Sequence, residues 1–215
     1  MNEDAIRAQL TIIRQSCDTI DSLLAPSVIF VKPGDNLLSI LETAPAGSVI
    51  SIDPAFTITA DITISKPVTL MSTILSTVGV RVDEAFRCPD LIGAMTVAAP
   101  NVTFINISLI GANPDQAILS TFDNFISDRC IVMGNTLGQH RGILANNTKN
   151  AAIRDSWIGN IFGSIDTQAI VAWDGLDGLT VDNCYLEASG ENILFGGEDA
   201  SSLANIPKKD RKSVV

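Results

Sequence analysis

The carboxylates Asp166, Asp174, Asp177, Asp182, Glu187 and Glu191 crowd one stretch of this chain. Paired carboxylates suit glycosidic-bond cleavage, one as acid and the other as nucleophile or base, their separation setting the stereochemical outcome. Asp174 and Asp177 flank the turn Asp174-Gly175-Leu176-Asp177-Gly178, which is ordinary corner chemistry. Glu187 and Glu191 can meet across a corner, but no Arg accompanies them. Arg154 is the only basic residue between Lys149 and Lys208. If the chain is an enzyme, Glu187, Glu191, Asp174 and Asp177 are the residues to act; the expectation is that none does.

Other residue types speak more weakly. His140 beside Arg141 has the makings of an acid–base pair, yet no Ser or Cys nucleophile motif surrounds it. Trp157 and Trp173 are the candidate carbohydrate-binding residues, able to stack on sugar rings if they face outward. Cys17, Cys88, Cys130 and Cys184 are irregularly spaced, and His140 is the single histidine. Zinc or iron–sulfur ligation is therefore not expected, nor any metal or other cofactor. Asn101, Asn106 and Asn146 open Asn-x-Ser/Thr triplets, which read better as corner residues than as glycan acceptors.

Three zones must position these residues. In residues 1–26, Ile6, Leu10, Ile13, Cys17, Ile20 and Leu24 recur in alternating steps of four and three. That is a heptad seam of about two to three heptads, ended by Pro26. It suits an amphipathic helix lying on its own domain or a short self-associating coiled coil, the oligomerisation element of the second reading. Val28-Ile29-Phe30-Val31 then reads as a strand. Asp35 or Asn36 can cap a helix near residues 35–44 whose apolar face covers the first rung of a stack. From Ser48 onward, short apolar strands recur at roughly 20–30 residues, divided by Asn, Asp, Gly and Ser.

One set of strands is Val68–Met71, Val102–Ile105, Cys130–Val132, Ala152–Arg154 and Leu179–Val181. Behind three of them lie Ile107–Ile110, Trp157–Gly159 and Cys184–Leu186. A third set is Ile118–Leu119, Gly142–Leu144, Ala169–Ala172 and Asn192–Phe195. Three strands per repeat with polar corners predicts a β-helix, with Asn at corners adopting left-handed angles and forming side-chain ladders. A longer loop is expected around Asp83 to Asp90. A β-sandwich would want regular tight hairpins, and the chain has no Asn-Gly pair.

Composition sets further bounds. Hydrophobic residues make up 46% and charged residues 18%, unlike a disordered chain. The balance of 14 basic against 24 acidic residues, net −10, excludes a nucleic-acid surface as the expected partner. Met1-Asn2-Glu3-Asp4 is no secretory signal and nothing reads as a membrane span, so no membrane partner is expected.

The stretch Asp182 to Ser201, above all Gly190-Glu191-Asn192-Ile193-Leu194-Phe195-Gly196-Gly197, resembles a phrase of bacterial and viral proteins in the pectin-lyase-like β-helix superfamily. Lys32 to Met71 resembles the start of that superfamily, and the resemblance spans about residues 28 to 205. It implies a right-handed parallel β-helix but no single activity. Relatives include pectate lyases, polygalacturonases, phage tailspikes and inert structural β-helices. A lyase of this kind would want a calcium site of clustered carboxylates and an Arg or Lys base facing one groove.

The reading is thus an all-β chain: a right-handed single-stranded parallel β-helix of about six coils with an N-terminal helix. Residues 1–26 form the helical arm, 27–206 the β-helix and 207–215 a basic tail. The expected function is a non-catalytic structural module, a bacteriophage virion component such as a capsid decoration, fibre or tail spike segment. Expected partners are further copies, a trimer preferred, and other virion proteins. Its place is the virion if phage-encoded, and otherwise the cytoplasm or the outside by a non-classical route. The alternatives are a polysaccharide lyase or glycoside hydrolase, and a non-catalytic carbohydrate-binding module with a polysaccharide ligand.

Overall fold

The computed structural model describes residues 26–112, 115–146 and 148–196. Among the described residues the fold is all-β with one helix. A first strand, Val28–Val31 (β1), is followed by the helix Leu37–Thr43 (α1). Successive triplets of strands follow: Ser48–Ile52 (β2), Thr57–Thr59 (β3), Ile62–Ile64 (β4); Val68–Ser72 (β5), Asp90–Ile92 (β6), Met95–Val97 (β7); Thr103–Ile105 (β8), Ser108–Ile110 (β9), Gln116–Ser120 (β10). Then come Ile126–Asp128 (β11), Ile131–Met133 (β12), Arg141–Ala145 (β13); Thr148–Arg154 (β14), Trp157–Ile161 (β15), Gln168–Ala172 (β16); Leu176–Asp182 (β17), Tyr185–Ala188 (β18) and Glu191–Phe195 (β19).

Each triplet places one strand in each of three parallel sheets. Sheet 1 runs β1-β2-β5-β8-β11-β14-β17, sheet 2 runs β3-β6-β9-β12-β15-β18, and sheet 3 runs β4-β7-β10-β13-β16-β19. The chain visits the sheets in turn, an arrangement consistent with a parallel β-helix. One expected grouping is corrected. The run Cys130–Val132 had been set beside Val102–Ile105 and Ala152–Arg154, but Ile131–Met133 pairs with Ser108–Ile110 and Trp157–Gly159 on sheet 2. The sheet 1 member of that triplet is Ile126–Asp128. It has no apolar run of its own, since Ser127 faces inward and Asp128 outward.

Strand register stacks like on like. Ile118, Ile143, Ile170 and Ile193 pair in succession, and the first three are fully buried. Leu70 lies beside Phe104, whose ring meets Phe125 edge-on at 5.7 Å. α1 seals the start of this column: Asn36 caps it by accepting from the Ser39 amide at 3.1 Å, and Leu37 and Leu41 are buried in the core. The Lys66 ammonium donates to the carbonyls of Glu42 and Ala44, tying down the helix end.

Corners explain the asparagines. Asn101 and Asn124 precede β8 and β11, and Asn150 lies within β14, all at φ near +57 to +61, where short polar side chains are tolerated. Their amides form a ladder, Asn124 Nδ2 donating to Asn101 Oδ1 (2.8 Å) and Asn150 Nδ2 to Asn124 Oδ1 (3.1 Å). Between sheets 1 and 2 the left-handed residues are Asn106, Arg129, Asp155 and Asn183.

That second set of corners holds a strap, residues 73–89, over the outer face of sheet 2. The Ser76 amide donates to Asn106 Oδ1 (3.0 Å) and Arg129 Nη1 donates to the Ser76 carbonyl (2.8 Å). The Gly79 amide donates to Asp155 Oδ2 (2.8 Å), while Asn183 Nδ2 donates to Asp155 Oδ1 (2.7 Å). Beneath the strap, Val82 and Cys88 pack on Ile131 and Trp157. Among the described residues no helix is long and apolar enough to cross a membrane.

Candidate functional site

The four candidate acids fall on three sheets and a turn. Glu191 opens β19 on sheet 3 and is exposed. Glu187 lies on β18 in sheet 2, also exposed. Asp177 sits on β17 in sheet 1, in register with Lys149. Asp174 lies in the turn after β16, where its amide donates to Asn146 Oδ1 at 3.3 Å. Glu191 is level with Gln168 at the start of β16, and Asp174 lies past that strand's far end. The length of β16, about 13 Å of extended backbone, separates the two levels, whereas a carboxylate pair acting on one glycosidic bond stands about 5–9.5 Å apart.

The two tryptophans also part company. Trp157 opens β15, is 8% exposed, and stacks on Tyr185 with centroids 5.5 Å apart and planes 7° from parallel. It is packed under the strap. Trp173 follows β16, is half-buried, and carries the Arg141 guanidinium over its ring at 4.1 Å. The heptad residues Ile6, Leu10, Ile13, Cys17, Ile20 and Leu24 lie outside the described residues.

The densest unsettled chemistry lies elsewhere, at the corner between sheets 2 and 3. Here Gln116, Arg141, Gln168 and Glu191 stand in register at the starts of β10, β13, β16 and β19. Just before them come Asp115, His140, Thr167 and Gly190. Backbone bonds fix the stack: the Gln168 amide donates to the His140 carbonyl (2.8 Å), and the Glu191 amide to that of Thr167 (2.9 Å). Thr167 Oγ1 also accepts from the Gly190 amide at 2.8 Å. Close packing demands glycine here. The His140 ring lies on Gly163, where a Cβ would come within 2.7 Å of its Cδ2.

Most buried polar side-chain atoms are hydrogen-bonded, and apart from the Ser120 and Ser127 hydroxyls the exceptions gather at this corner. Among the described residues, both amide atoms of Gln139, Nδ1 of His140, Nε of Arg141 and Oε1 of Gln168 are buried without a hydrogen-bond partner. Gln139 is wholly buried. Gln168 uses its other amide atom, Nε2 donating to Glu191 Oε2 at 3.0 Å. His140 Nδ1 stands 3.8 Å from Asp115 Oδ1. Burial pulls the Arg141 guanidinium below its ordinary value, and the nearby Asp115 carboxylate opposes that pull.

A guanidinium, an amide, a carboxylate and an imidazole thus share one edge, next to a flat aromatic ring. Such a mixture of donors and acceptors beside a ring suits a polyhydroxylated ligand. The sequence alone singles out His140, Arg141, Trp173 and Glu191, but not Gln139, Gln168 and Asp115. The signal that could have found them is the first position of each third-set strand, which is polar in every one: Gln116, Arg141, Gln168 and Glu191. No protein-family model matches this chain, and no curated protein matches it.

Proposed function

We propose that this chain is a non-catalytic structural β-helix: a right-handed, single-stranded stack of about six coils in the pectin-lyase-like superfamily. In this reading it serves as a rigid module of a bacteriophage virion, a decoration, fibre or spike segment. The unbroken stack of three parallel sheets carries it, because each strand is bonded to the coils on either side and the described residues make one stiff module. The superfamily resemblance rests on the Gly190–Gly197 phrase and agrees with three parallel sheets visited in rotation. The test is release of reducing ends or unsaturated products from a broad panel of neutral and acidic polysaccharides. No release is expected. Release that disappears in Glu191→Gln overturns the reading.

One observation favours a second role on the same scaffold, glycan binding without turnover. Arg141 over Trp173, with Gln168 and Glu191 one and two coils further along the same row, offers a stacking surface and hydrogen-bonding groups. A glycan array reads it directly. Binding lost in both Trp173→Ala and Gln168→Ala, and retained in Trp157→Phe, supports it; binding indifferent to Trp173→Ala refutes it.

A further inference from the structure

The strap faces two ways. On its return leg Val82 and Cys88 are buried against sheet 2. The outbound leg, residues 73–81, does the opposite: Ile74, Leu75, Val78 and Val80 are 55%, 47%, 76% and 55% exposed. What this leg turns towards the stack is main chain and one hydroxyl. The Ser76 amide and carbonyl bond to Asn106 and Arg129, and its Oγ accepts from Asn106 Nδ2. The Gly79 amide and carbonyl bond to Asp155 and Asn183. Those four partners are the left-handed corner residues of successive coils. The leg is therefore pinned along a rigid edge with its aliphatic side chains held outward. Four such side chains within seven consecutive positions forgo the gain of burial, and clustered exposure of that kind marks an interaction site.

We propose that a second copy of this chain covers the outbound leg, strap against strap, in a pair with two-fold symmetry. Size is the first argument for that occupant. Exposed to this extent, the four side chains present roughly 300–400 Å² of apolar surface. A stable pair takes about 800 Å² from each partner, about 60% of it apolar. The leg alone supplies most of that apolar part, and symmetry supplies the matching patch on the other copy.

Charge is the second argument. At net −10, two copies repel unless they meet where charge is locally balanced. No residue from Pro67 to Val80 is charged. Further along the strap the exposed residues Arg81, Asp83, Glu84 and Arg87 sum to zero. A rim of mixed and equal charge lets identical surfaces meet, since each sign can find its opposite on the other copy. The last coil offers no such place: Asp182, Glu187 and Glu191 are exposed there, and Leu176 to Phe195 contains no Lys or Arg. Nor does a rim with as many acids as bases suit an anionic lipid surface. The pairing stands whether or not the chain serves in a virion.

The test is sedimentation of the full chain at about 1 to 100 µM, where interfaces of standard size form. A pair is expected. Val78→Asp puts a carboxylate into the middle of the apolar patch and should weaken the pair by about tenfold or more. Leu137→Asp, at a side chain 96% exposed on the corner between sheets 2 and 3, should leave it unchanged. Should Val78→Asp lose the native circular dichroism, hydroxyl-radical labelling of the unsubstituted chain decides. Ile74 and Leu75 should be labelled several-fold less at the pairing concentration than on dilution, and Leu137 equally at both. A monomer throughout, a multimer whose mass ignores Val78→Asp, or a pair weakened as much by Leu137→Asp would each overturn the proposal. Labelling of Ile74 and Leu75 that ignores concentration would do the same. So would a monomer that floats with neutral phosphatidylcholine vesicles, which would make the patch a lipid contact.

Discussion

Asp155→Ala is the sharpest probe of how this stack is held together. Asp155 is 7% exposed and sits at φ +48 between sheets 1 and 2. Its carboxylate accepts from the Gly79 amide at 2.8 Å and from Asn183 Nδ2 at 2.7 Å. Hydrogen bonds to a charged group contribute about 1.5 kcal/mol or more each, so losing both costs roughly 3 kcal/mol. Alanine tolerates the left-handed backbone worse than Asp by about 1 kcal/mol. The sum is about 4 kcal/mol, a large share of the ~5–15 kcal/mol that holds a typical domain. The loss need not appear wholly as global unfolding, because the strap can detach first. Two readouts are therefore needed: urea unfolding, and the reaction of Cys88 with a thiol reagent, mapped peptide by peptide. Cys88 is buried beneath the strap and should become reactive under native conditions. Asp155→Asn keeps the backbone tolerance and one acceptor, and should lose no more than about 2 kcal/mol. A loss below about 1 kcal/mol in Asp155→Ala, with Cys88 still inert, would refute the assignment of Asp155 as the strap's anchor.

Other changes have equally definite outcomes. Ile143→Ala opens a cavity in the middle of a fully buried isoleucine column and should cost about 3–4 kcal/mol in chemical denaturation. Asn124→Ala should cost about 1–2 kcal/mol by straining φ +61 and cutting the amide ladder, and Asn124→Gly should recover most of the strain. Arg141→Ala should increase acrylamide quenching of Trp173 while changing stability by only about 0.5–1 kcal/mol. The thiols of Cys88 and Cys130 are pushed up to about 12 and about 11, in both cases chiefly by burial. The unfolded chain sheds those protons first, from pH 9.0 upward. Stability is therefore whole below pH 9 and falls as the pH rises from there towards 11 and 12, by up to about 1.4 kcal/mol per pH unit per thiol. Cys130→Ala should flatten that slope in denaturation curves taken at successive pH values.

Much of the architecture was legible because it is written locally. Val68–Met71, Trp157–Gly159 and Ala169–Ala172 are apolar runs between polar corners, and each is a strand. Asn36 capping α1 and the left-handed asparagines follow from side-chain chemistry that a single residue declares. What escaped was written between coils. Ile126–Asp128 carries one apolar residue and is a strand because β8 and β14 flank it. The expected loop at Asp83 to Asp90 was seen too short, since residues 73–89 form one strap whose partners Asn106, Arg129, Asp155 and Asn183 lie far away in sequence. The corner cluster was only half visible for the same reason. Gln139 and Gln168 are unremarkable in sequence, and become distinctive only once stacking buries them.

The sealing of the first rung by α1 has a meaning for synthesis. Every strand partner lies roughly one coil away in sequence, so no coil can be completed by local contacts alone. Yet the order of contacts is the order of translation. The helix-capped first coil is the earliest surface that a nascent chain can finish, and each finished coil then serves as template for the next segment to leave the ribosome. Synthesis therefore favours assembly from the capped end. On that order a lesion near Ile50 or Leu70 should slow every later coil, while one near Leu186 should touch only the last step.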